Sequence, residues 1–213
     1  MLAKKTAGKS ITEARIVEAA VQLFSRQGYK GTSTREIAQL AGVNEATLFR
    51  YFAHKADLFW SATESRLVRL KLGRELQNGL ASDLEPDVVV PMLAAFVVDS
   101  MSQQPELMRL LYVAGFELPG ADRMFREHLG PIFDAVNAYF ARCATRGVIC
   151  ELEPTFATLG LAGAVTAHHN LHQLFTGRDL PWTGQASAPA YAQFWLKALR
   201  QPRPAASGNG SSG

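Results

Sequence analysis

The sequence predicts an all-α protein: an N-terminal three-helix unit containing a helix-turn-helix, followed by a larger helical region. Three observations lead there. Apolar residues recur every three or four positions almost throughout, and no stretch keeps the period of two that a strand needs. Helix-start signatures, Ser10 with Glu13 and Ser33 with Glu36, stand just before apolar runs. Glycine and proline cut the remainder into helix-length pieces.

Taken in order, the first helix begins where the Ser10 side chain can accept from the backbone of Glu13. Ile16, Val17, Ala20, Val21, Leu23 and Phe24 give it a wide apolar face, and Gly28 ends it. Ser33 and Glu36 start a second, shorter helix. A long helix is expected from Lys55 towards Leu80, before Asp83-Leu-Glu-Pro86 breaks the pattern. Pro91 is expected near a helix start, and Gln104-Pro105 opens another helix. Gly115 to Gly120 reads as a loop. Gly130-Pro131 interrupts the helix after it, by kinking or splitting it, and Arg146-Gly147 ends that helix. A helix from about Pro154 to Phe175 and a last one around Pro189 to Leu199 complete the series. Beyond Pro202 the composition is Pro, Ala, Ser, Gly and Asn, which buries too little to fold.

Composition narrows the function classes. With 47% hydrophobic and 19% charged residues there is ample material for a packed core. No apolar run reaches the roughly 18 residues of a membrane span, and the lysines before Ser10 precede no apolar signal segment. Cys143 and Cys150 fit no metal or redox spacing, so a reduced, cytoplasmic protein is expected. There is no Gly-x-Ser-x-Gly, phosphate loop or dinucleotide fingerprint, so neither an enzyme nor a cofactor is expected. The net charge of +3 is unevenly spread: residues 1–60 hold nine Lys/Arg against five Asp/Glu, and the rest is slightly acidic. A nucleic-acid-binding end has that asymmetry, and so does a basic tail built on Lys4, Lys5 and Lys9.

Residues 33–52 carry the chemistry. Two short helices crossing steeply need a small residue at the crossing, which Ala38 supplies, and a turn residue tolerant of positive φ, which Gly42 supplies. Ile37, Ala41, Val43 and Leu48 are placed to pack both helices on the first. Asn44 caps the second helix, leaving Glu45, Ala46, Thr47 and Arg50 on its outer face. Such a helix fits the major groove of DNA and offers its N-terminal residues to base edges.

Phe24, Gly28, Tyr29, Thr32-Ser-Thr-Arg-Glu-Ile-Ala, Ala41-Gly-Val, Thr47-Leu-Phe-Arg-Tyr-Phe, Lys55 and Leu58-Phe together resemble the N-terminal domain of the TetR family of bacterial repressors. The resemblance is dense over about residues 11–60. Beyond it, only Arg146-Gly-Val-Ile and Glu153-Pro are similar. It implies phosphate contacts from Ser33, Arg35, Tyr51 and Lys55, and base contacts from the face formed by Asn44, Glu45, Ala46, Thr47 and Arg50. One departure is His54, where the family has Ser or Asn as a helix cap; imidazole caps poorly. The implied organisation is a flexible basic arm at 1–10, a DNA-binding domain at 11–60, a ligand-binding and dimerisation domain at 61–201, and a disordered tail at 202–213. The partners it implies are a double-stranded DNA operator, a small-molecule effector and a second copy of the chain, without a membrane.

Three features of the larger region bear on those partners. Gly160, Ala162, Gly163, Ala164 and Ala167 would let helices approach closely, within one subunit or across a dimer. Met92, Phe96, Met101, Met108, Tyr112, Phe116 and Phe133 suit a pocket for a varied apolar or aromatic ligand, and equally suit core filling. His168 and His172, four apart beside His169, could share a metal, which would make the effector an ion; a polar seam or pocket rim explains them as well.

Overall fold

The computed structural model describes residues 10–170 and 184–200. The expected basic arm, the end of the helix at 171–175, His172 and the tail lie outside them. Among the described residues every regular element is helical, and no helix is long and apolar enough to cross a membrane. The chain forms two compact units.

The first unit takes the chain up to Lys71 together with Gln104–His128. Its helices are α1 (Ile11–Gly31), α2 (Thr34–Leu40), α3 (Glu45–Tyr51), α4 (Lys55–Leu67), α7 (Pro105–Glu117) and the single turn α8 (Ala121–Met124). α1 is the hub: Ile16, Val17, Ala20, Val21 and Phe24 are buried where α2, α4 and α7 pack on it. Ile37 and Ala38 of α2, Leu48 of α3, Leu58, Phe59 and Ala62 of α4, and Leu107, Leu110 and Ala114 of α7 are buried in the same unit. Phe24, Tyr29 and Phe59 form an aromatic cluster with centroid separations of 5.1–5.8 Å. Arg66 on α4 is buried and donates to both carboxylate oxygens of Glu18 on α1, at 2.7 and 2.9 Å.

The second unit contains α5 (Arg74–Ala81), α6 (Pro86–Gln103), α9 (Gly130–Thr145), α10 (Pro154–Asn170), a 3-10 turn (Gly184–Ser187) and α11 (Ala188–Arg200). α6 is central, with α5, α10 and α11 against it, and α9 closes on α5 and α10. The core runs from Leu76 and Leu80 through Val89, Val90, Leu93 and Val98 to Tyr139, Phe140, Leu161, Val165 and Leu199. Arg146-Gly147 ends α9 as expected: the N–H groups of Gly147 and Val148 donate back to Ala144 and Cys143.

Three expectations about the helices need correction. The long helix from Lys55 stops at Leu67, and α5 starts only after Gly73. The apolar positions of α4 are buried in the first unit and those of α5 in the second. Gly115 is not in a loop: α7 runs through it to Glu117, and the loop is only Leu118 to Gly120. Pro91 lies in the second turn of α6, whose start is Pro86. Gly130-Pro131 marks a change of helical winding, with no non-helical residue between the turns on either side. The proline sits in the first turn of α9, where its missing N–H costs nothing, behind a π-helical turn at Phe125–Leu129.

Candidate nucleic-acid interface

Each local signal of the helix-turn-helix has a geometric counterpart. The Ser33 hydroxyl accepts from the Glu36 N–H at 3.2 Å, and the Glu36 carboxylate accepts from the Ser33 N–H at 2.8 Å. The Ser33 hydroxyl also donates to that carboxylate, which these bonds hold below the usual carboxylate range. At the far end of α2, Gly42 adopts φ +65°, and the N–H groups of Gly42 and Val43 bond back to Gln39 and Ala38. This is a Schellman turn, which orients the chain for α3. Asn44 caps α3, its side-chain oxygen accepting from the Thr47 N–H at 2.7 Å. At the start of α4, Asp57 reaches back to His54. Its carboxylate accepts the His54 N–H at 2.9 Å.

Two contacts fix the turn from outside it. Arg15 on α1 donates to the Ala41 carbonyl at 2.5 Å, and the Thr34 hydroxyl donates to the Glu45 carboxylate at 2.5 Å. The starts of α2 and α3 are thereby tied together. Glu45 consequently faces a hydroxyl of its own chain.

On α3, Ala46 and Arg50 are exposed, Glu45 and Thr47 are half-buried, and Leu48 is fully buried against the unit. The Arg50 guanidinium lies over the Tyr51 ring at 5.5 Å. The Ser10 hydroxyl donates to the Tyr51 oxygen at 3.2 Å and, as the largest of several effects, lowers that phenol's pKa from its ordinary value. Ser33 and Arg35 are exposed at the start of α2. Lys55 is half-buried, its ammonium 4.3 Å from the centroid of the Tyr29 ring. Burial there pushes its pKa down, against the opposing pull of the Glu117 and Glu36 carboxylates.

Sequence reasoning singled out neither Phe49, 45% exposed beside Arg50, nor Arg15 and Glu117. An apolar residue on the open side of a recognition helix is a signal that could have been read. Arg15 and Glu117 act on residues far along the chain and leave no local pattern.

The residues considered for a ligand fall in both units. Met108, Tyr112 and Phe116 belong to α7 in the first, where Tyr112 and Phe116 stack on the exposed side. Met92, Phe96 and Met101 on α6 and Phe133 on α9 belong to the second, where Met92 and Phe96 pack on the core. His168 meets the Tyr191 hydroxyl through Nδ1, and the described residues contain no group of three or more metal-ligating side chains. The small-residue stretch of α10 divides in two. A Cβ on Gly160 would stand 2.3 Å from the Trp195 ring of α11, whereas one on Gly163 would meet nothing within 4 Å. Gly163 shares an open stripe with Phe156 (64% exposed) and Leu159 (51% exposed), and Phe194 on α11 is 63% exposed.

Residues 16–62 match the model of bacterial regulatory proteins of the tetR family. The chain is 32% identical over 111 residues to the HTH-type transcriptional repressor SCO4008 of Streptomyces coelicolor, across 52% of this chain and 53% of that protein. It spans about half or less of the first curated relatives it matches. Among solved structures, FadR of Bacillus subtilis, in complex with stearoyl-CoA, superposes with a TM-score of 0.68 at 14% identity, covering 88% of this chain and 99% of that one. AibR, in complex with isovaleryl coenzyme A and operator DNA, gives 0.67 at 17% identity, covering 89% and 98%. By sequence over the helix-turn-helix the chain matches the tetR family of bacterial regulatory proteins, and by fold it is similar to solved regulators of that family.

Proposed function

We propose that the protein is a cytoplasmic transcriptional repressor that binds a palindromic operator as a homodimer and leaves it when a small apolar or aromatic molecule binds. The observation that carries this reading is the capped, exposed α3 with Arg50 stacked on Tyr51, tied at its start to α2 through Thr34 and Glu45. α3 enters the major groove. Ala46, Thr47 and Arg50 meet base edges, with Asn44 and Glu45 at the N-terminal end of the same face. Ser33, Arg35, Tyr51 and Lys55 meet phosphates, which position the protein without reading sequence.

The second copy meets the first along the α10 stripe of Phe156, Leu159 and Gly163, joined by Phe194 of α11. An exposed apolar stripe whose glycine has open space beside it among the described residues suits a close helix-to-helix seam. The effector is taken up in the stretch from about residue 90 to 140. Thioesters with apolar acyl chains join aromatic compounds as first candidates, because two proteins of this fold were solved with them.

Selection from a random duplex library tests the core of the reading. The expected result is an enriched motif with two half-sites centred about one helical turn, 34–36 Å, apart or a multiple of it. A library that returns no enriched sequence at moderate salt overturns it.

A further inference from the structure

Glu117, the last residue of α7, reaches into the break at the end of α1. Its carboxylate accepts the Lys30 N–H at 2.9 Å. One oxygen lies 2.8 Å from where a Cβ on Gly28 would stand. Gly28 itself has φ +75° and ψ 177°, a region that is essentially glycine-only. The carboxylate is therefore held by the Lys30 N–H and lies beside Gly28, so it flanks Tyr29. The face of Tyr29 holds the Lys55 ammonium at 4.3 Å. Two acidic groups act on that ammonium, Glu36 and Glu117. Glu36 is committed to the capping box that starts α2. Glu117 comes instead from α7, the helix that carries Met108, Tyr112 and Phe116.

We propose that Glu117 is a built-in brake on DNA binding, a fixed carboxylate that competes with backbone phosphate for Lys55. This rests on the reading of Lys55 as a phosphate contact. The carboxylate opposes binding in two ways: it attracts the ammonium that a phosphate must recruit, and it repels the phosphate. Glu117 touches no DNA and acts through Lys55, which makes it a positioning residue. Because the charge rides on α7, a shift of that helix alters the strength of a contact common to every DNA sequence.

The test uses the full chain with the selected operator duplex and an unrelated duplex of equal length. Glu117→Gln keeps an oxygen to accept the Lys30 N–H but removes the charge. It should tighten both duplexes about two- to fivefold, the effect of one partly solvated charge at short range, and leave the unfolding midpoint unchanged. Lys55→Ala should weaken both duplexes and flatten the salt dependence by about 0.9 in logarithmic slope per subunit, about 1.8 for the dimer. In the double variant the gain from Glu117→Gln should vanish, because the two changes act on one contact. If Glu117→Gln binds no tighter than wild type, or keeps its gain without Lys55, the brake is refuted while operator binding stands. A wild-type protein that binds neither duplex refutes operator binding and the brake with it.

Discussion

Arg50 illustrates how much a single side chain can be restrained before it meets a ligand. Its guanidinium lies over the neighbouring Tyr51 ring, so part of the rotamer entropy lost on binding is already lost in the free protein. Tyr51 is held in turn by the Ser10 hydroxyl, and Asn44 and Thr34 fix the start of the helix that presents both. An arginine presented in this way suits a bidentate contact to guanine. Arg50→Ala should cost about 1–3 kcal/mol on the preferred operator and relax preference at one base-pair position per half-site. Anisotropy titrations against operators varied one position at a time would measure it. A uniform loss across all of them would make Arg50 a phosphate contact instead.

Among the helices, α10 makes the sharpest prediction because its two glycines have different surroundings. Gly160 is required inside the subunit, since a side chain there would enter the Trp195 ring. Among the described residues, nothing lies within 4 Å of a Cβ built on Gly163. Gly163→Leu should therefore stabilise the isolated subunit by up to about 1 kcal/mol through helix propensity, yet weaken association by about 1–3 kcal/mol by overpacking the seam. Sedimentation should find a wild-type dimer at micromolar concentration, and a variant shifted towards monomer with an equal or higher urea midpoint. A variant that dimerises like wild type would place the seam elsewhere. What the sequence disclosed about these elements follows the range of the interactions. The caps at Ser10, Ser33 and Asn44, and the Gly42 turn, depend on residues within three or four positions, and each was legible. The break after Leu67 was not, because helical periodicity continues through it and only the change of packing partner ends the helix. Likewise, the reach of Arg15 to Ala41 and of Glu117 to Lys30 joins distant parts of the chain, which no local pattern encodes.

At the scale of the whole molecule, release from DNA is a free-energy coupling between an effector and an operator. α7 belongs to the same compact unit as α1 and α4, so an effector that engages Met108, Tyr112 or Phe116 acts on a helix already packed against the DNA-binding core. In a dimer the two α3 helices must match half-sites about 34–36 Å apart, and a misfit of a few ångströms weakens both together. The effector can loosen the complex only to the extent that it prefers the state that does not fit DNA. A compound that weakens the operator about 100-fold has a coupling of about 2.7 kcal/mol, and the operator must weaken that compound by the same factor. A panel of aromatic compounds and acyl-CoA thioesters, screened against the operator complex and then titrated calorimetrically with and without saturating operator, tests both directions of the linkage. Equal affinities in the two titrations, for a compound that binds the stretch from residue 90 to 140, would mean that its site is uncoupled from α3. A 100-fold difference matched by a 100-fold loss of operator affinity would establish that stretch as the switch. Glu117→Gln should then raise operator affinity in the absence of effector and leave less for the effector to gain by moving α7.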